Sequence, residues 1–126
     1  MKFDPNRTIP VYTTRGDCEA YVVFPMIYNP LGEWIGWLTP EKEVFSVHGD
    51  YVGWITPEPR ILRKRTDDFS RPKSQPPTKP PNLRTPATVP LPPMMAELPY
   101  DTIDVLADEP ERLPTLDTGE ALLDMD

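Results

Sequence analysis

Between Val11 and Leu62 short apolar stretches are interrupted at regular intervals by a glycine turn, and the interval is 16 or 17 residues. Ile27-Tyr28 opens one unit, Gly32-Glu33 marks its turn, and Trp34-Ile35-Gly36-Trp37-Leu38 completes it before Thr39-Pro40. The next unit runs Val44-Phe45, Gly49-Asp50, Tyr51-Val52-Gly53-Trp54-Ile55 and Thr56-Pro57. Gly32 and Gly49, Gly36 and Gly53, Trp37 and Trp54, and Pro40 and Pro57 each stand 17 apart, which marks a structural repeat. Upstream, Val11-Tyr12, Gly16-Asp17 and Tyr21 match the second unit at an offset of 16. Downstream, Ile61-Leu62 opens a worn fourth copy in which Thr66 replaces the turn glycine.

Each unit predicts a β-hairpin. A β-branched and aromatic pair forms the first strand, and the turn glycine supplies the positive φ of a tight loop. Pro25, Pro40 and Pro57 stop the strands from running on. Period-two alternation places Trp34, Gly36 and Leu38 on one face and Ile35 and Trp37 on the other. The small residues Ala20, Gly36 and Gly53 fall mid-strand, where glycine is tolerated if another backbone or a ring comes close. The expected fold is all-β: three to four pseudo-symmetric β-hairpin repeats over residues 11–69, around a shallow barrel-like centre, behind an irregular lead-in at 1–10.

The repeated hairpin with its glycine turn and paired Gly-Trp resembles the four-fold β-flower family of small, largely uncharacterised bacterial proteins. In that family hairpin petals surround a shallow barrel-like centre. The resemblance covers roughly residues 9–69. Cys18-Glu19-Ala20 departs from the pattern in the first unit, and the fourth unit lacks its tryptophan. The resemblance implies a fold and brings no catalytic motif with it.

Composition divides the chain further. Nine of the 19 prolines lie between Pro72 and Pro93, so residues 70–93 are expected to form a disordered, extended linker unable to bury a core. Residues 1–65 carry eight basic and eight acidic groups, whereas residues 90–126 carry one and ten; the net charge of −7 therefore belongs to the tail. That tail, 94–126, is expected to be largely disordered, with a docking segment at 98–106. There Tyr100, Ile103, Val105 and Leu106 alternate with polar or acidic residues, a pattern that folds on a partner or on the chain itself. A single cysteine, Cys18, and a start without an apolar run give no secretory signature, so a cytoplasmic setting is expected.

Candidate chemistry is sparse. His48 and Cys18 fall at different points of different units, and Asp17, Glu33 and Asp50 recur at loop tips, where solvated carboxylates are usual. No catalytic, metal or cofactor site is expected, and none of the glycines forms a phosphate-binding fingerprint. Tyr21, Trp37 and Trp54 are candidates for a ligand or partner surface, although a core this small needs aromatic rings for itself. Arg60, Arg63, Lys64 and Arg65 form a basic cluster that is either plainly solvated or has one of two roles. It meets anionic lipid at a membrane surface, or it attracts the acidic tail; the overall charge argues against nucleic acid. The expected function is a non-catalytic module that binds a protein partner, an apolar ligand or another copy of itself, with membrane attachment as the alternative.

Overall fold

The computed structural model describes residues 5–67 and 70–116. Of the tail 94–126, expected to be largely disordered, residues 117–126 lie outside the described residues. Eight antiparallel strands form one curled, half-barrel sheet in chain order. They are β1 (Ile9–Tyr12), β2 (Cys18–Val23), β3 (Met26–Tyr28), β4 (Trp34–Leu38), β5 (Glu43–Ser46), β6 (Tyr51–Ile55), β7 (Ile61–Lys64) and β8 (Thr102–Asp104). A short helix, α1 (Val105–Asp108), and a 3₁₀ turn at Pro110–Arg112 follow directly. Strands β2 to β7 come from residues 11–69 as expected, whereas β1 begins at Ile9, within the expected irregular lead-in. Strand β8 is drawn from the acidic tail and pairs with β7 through Leu62–Asp104, Arg63–Ile103 and Lys64–Thr102.

Five turns share one hydrogen-bond pattern, and the sequence dictates it. At Thr13, Asn29, Thr39, Ser46 and Thr56 the N–H donates to the carbonyl four residues on. The side-chain oxygen of the same residue accepts the N–H of that fourth residue, at 2.8–3.3 Å. Short polar side chains at a turn's first position do this because they reach their own backbone a few residues on. Gly32 and Gly49 stand three residues after the first position, at φ +85° and +88°, and in the turn from Thr39 to Glu43 Lys42 stands there at φ +67°.

Beside each glycine turn the strand register slips by one residue, leaving Glu19, Ile35 and Val52 without a partner of their own. These bulges correct the expected assignment of faces. Ile35 joins Leu38 in the inner apolar cluster, and Trp34 lies on the other side with Trp37, among Tyr28 and Val47. The physical reason is that an extra residue resets the two-residue period, so alternation read through the bulge puts side chains on the wrong face.

Beside Ile35 and Leu38 of β4, the inner cluster gathers Val11, Ala20, Val22, Ile27, Val44, Val52, Ile55 and Ile61 from six further strands, together with Val105, Leu106 and Leu113 from the tail. The hollow of the sheet is therefore filled by the chain's own α1 and the turn after it. The closeness of this packing is visible at Gly36, where a Cβ would lie 3.1 Å from Leu113 Cδ2. The two ends of the sheet meet through side chains: Thr14 donates its N–H and its hydroxyl to Asp104 Oδ2, at 2.6 and 2.7 Å.

Candidate functional site

Two arrangements of the C-terminal half bring side chains and backbone together against the sheet. One is the way β8 and α1 are held; the other is the path of the proline-rich stretch.

The basic cluster at the end of β7 is the anchor for the first. Arg60 is 5 % exposed and Arg63 4 % exposed, burial that guanidinium groups accept only when paired. Arg60 donates to Glu58 Oε1, to Thr14 Oγ1 and to the carbonyl of Ala96, so it ties the β1–β2 turn, the β6–β7 turn and the tail together. Arg63 donates from Nε and Nη2 to Glu109 Oε1 at 2.9 and 2.7 Å, and Arg112 reaches the same oxygen at 3.0 Å. Lys64 pairs with Asp101 at 2.9 Å, while Arg65 donates to the Tyr100 carbonyl and lies over its ring. Every member of the basic cluster thus faces the tail.

Electrostatics agree with the geometry. Burial pushes Glu109 up, but hydrogen bonds and charge from Arg63 and Arg112 outweigh it and hold the carboxyl below its usual value. The same balance holds for Glu58: burial raises it, and bonds from Thr56 and Arg60 bring it below the ordinary range. Asp101 is lowered first by the Lys64 hydrogen bond. In each case opposite charge favours the ionised carboxylate.

Of the residues singled out for tail docking, Ile103, Val105 and Leu106 are buried against the sheet, and Tyr100 is 87 % exposed. Asp104 caps α1 by accepting the Ala107 N–H, which lets the chain turn from strand to helix within one residue.

The proline-rich stretch has no regular secondary structure and lies across the hairpin tips. Ser74 donates its N–H to the carbonyl of Gly49 at 2.9 Å, and Leu83 donates to the carbonyl of Gly32 at 2.8 Å. At the first hairpin Pro92 packs on Gly16, with its Cγ 3.1 Å from where a Cβ would stand, and Tyr12 donates its hydroxyl to the Pro90 carbonyl. The stretch expected to be a disordered linker at 70–93 instead makes these contacts with the sheet, which its composition does not reveal. A signal for them exists: Pro72, Pro81, Pro90 and Pro99 stand nine residues apart, and the first three precede Ser74, Leu83 and Pro92 by two.

The aromatic candidates separate. Tyr21 is buried, whereas Trp37 and Trp54 are half-buried. Trp37 stacks on Phe45 with ring centres 4.8 Å apart, Phe45 meets Tyr51 edge-on, and Arg71 sits 3.9 Å over the Tyr51 ring while pairing with Glu43. A cavity of about 390 Å³ opens beside this row, lined by Ser46, His48, Asp50, Tyr51, Arg71 and Arg112 among others. Cys18 is half-buried, and burial raises its thiol pKa, which disfavours the reactive thiolate. Among the described residues no group of three or more His, Cys, Asp or Glu is placed to hold a metal ion. No helix among them is long and apolar enough to cross a membrane. Compared with protein-family models, curated proteins and solved structures, the chain matches none of them.

Proposed function

We propose that this protein is a non-catalytic interaction module that holds extended peptide segments, with its own C-terminal half as the resident one. We read its strands as four pseudo-symmetric hairpins around a shallow barrel-like centre, in keeping with the four-fold β-flower resemblance. In that reading β1–β2, β3–β4 and β5–β6 are three petals, and β7 completes the fourth with a strand taken from the tail. The observation that carries the proposal is the addition of β8 to the edge of β7, followed by α1 in the hollow of the sheet. Strand addition is a general mode of peptide recognition: main-chain bonds supply affinity, and alternate side chains supply selectivity. The partner class is a protein segment of the same character, acidic and apolar in alternation, with a carboxylate where Glu109 meets Arg63. The setting we propose is the cytoplasm, consistent with a lone half-buried thiol.

The test keeps the full chain and places a protease site at the exposed Ala87-Thr88. After cleavage the two pieces are expected to stay together, and a labelled peptide of residues 94–116 is expected to exchange in saturably. A cut protein whose sheet stays folded but which takes up a scrambled peptide equally well would sink the proposal.

Attachment to anionic membrane through Arg60, Arg63, Lys64 and Arg65 has less support, because Arg60 and Arg63 are buried against Thr14, Glu58 and Glu109. Liposome co-sedimentation at two salt concentrations separates the readings: salt-sensitive binding would favour the membrane.

A further inference from the structure

We infer that the glycine turns of the three hairpins form a second peptide-binding surface, a track for an extended proline-rich chain with a nine-residue period. This rests on the interaction-module proposal but concerns the hairpin tips, not the β7 edge. The partner it fits is a proline-rich segment of another molecule carrying Pro-x-(apolar) units nine residues apart.

Two turns present the same geometry to the same position of the period. The carbonyls of Gly49 and Gly32 each accept one N–H, from Ser74 and Leu83, which stand two residues after Pro72 and Pro81. The approach is possible only to glycine, since a Cβ on Gly49 or Gly32 would collide with the carbonyl oxygen of Ser74 or Leu83. Proline-rich chain suits such a track because it is already extended, loses little entropy on docking, and offers few N–H groups. At the third station the residue in register is Pro92, which has no N–H to donate. There the Tyr12 hydroxyl donates to the Pro90 carbonyl instead, and Pro92 packs on Gly16.

The resident strap leaves room for a better ligand. Leu83 touches the cluster of Tyr28, Trp34 and Val47, but the equivalent side chain at the next turn is only a serine, and Leu91 is 91 % exposed. The strap is held by its bonds to Gly49 and Gly32, by Arg71 on Glu43 and Tyr51, and by its tether, which acts as a high effective concentration. A competitor with apolar residues at both the Ser74 and Leu83 positions gains contacts that the strap does not make.

The test uses the full chain with residues 71–93 replaced by glycine and serine at equal length, and a fluorescent peptide with the sequence of residues 70–95. Saturable binding is expected, absent for a peptide of scrambled order. Methylating the peptide nitrogen at the Ser74 or Leu83 position removes one donor, and each methyl is expected to weaken binding roughly two- to tenfold. Equal binding of the scrambled peptide, indifference to methylation, or no saturable binding to a folded chain would overturn the inference. Should the replaced chain not fold, hydrogen exchange in the intact protein decides. The amides of Ser74 and Leu83 should be protected relative to Gln75 and Arg84, and one residue inserted after Thr78 should strip protection from Leu83 while sparing Ser74. Equal exchange at all four amides would overturn it as well.

Discussion

Lys42 and Gly49 occupy the same place in two turns of the same hydrogen-bond pattern, at φ +67° and +88°. A side chain in that region of backbone space costs on the order of 1 kcal/mol, and glycine does not incur it. Lys42→Gly is therefore expected to stabilise the protein by about 1 kcal/mol, raising the urea midpoint without changing the slope of the transition. Gly49→Ala goes the other way for two reasons, the strained φ and the collision with the Ser74 carbonyl. A loss of about 1–3 kcal/mol is expected, together with faster exchange of the Ser74 amide. Gly49 follows from the sequence as a turn glycine between two strands, whereas Lys42, with no glycine to mark its turn, does not. The second duty of the glycines, admitting the strap, does not follow, because it depends on which backbone arrives from far along the chain.

At the scale of elements, α1 and its following turn are held by apolar packing and by one carboxylate. Leu113 is buried against Gly36 in the inner cluster, and Leu113→Ala is expected to cost about 2–5 kcal/mol in chemical denaturation. Glu109 has a lowered carboxyl pKa, so its contribution is complete above the unfolded value of about 4.3 and is lost as pH falls through the lower folded value. Acidification from pH 5 towards 3 should therefore loosen α1, seen as faster exchange of the Val105 and Leu106 amides corrected for intrinsic rates. Glu109→Gln removes the titrating group and leaves buried Arg63 without that charge. It should flatten this acid dependence and cost about 1–3 kcal/mol at neutral pH. A variant retaining the full acid dependence would show that another group sets it.

For the molecule as a whole, the charge division along the chain becomes an internal match: a neutral sheet region with a basic corner, and an acidic tail docked upon it. The strongest contacts of that match are buried, and salt screens buried pairs poorly. Lys64–Asp101 is exposed on both sides and contributes little. Raising salt to 0.5 M is therefore expected to lower stability by less than about 1 kcal/mol. A larger loss would mean that long-range attraction, not the fitted contacts, keeps the tail in place.

The chain by itself determined the all-β character, the hairpins and their glycine turns, because glycine and proline act on backbone within a few positions of themselves. It also marked Ile103, Val105 and Leu106 as residues with something to bury, since an acidic tail has no other use for them. Tertiary structure alone decided what they bury against. Strand β8 meets β7 across residues 65–101, a separation over which local propensity carries no information about pairing. The bulges likewise lay beyond period counting, for a one-residue slip leaves composition untouched while exchanging Trp34 and Ile35 between the faces of the sheet.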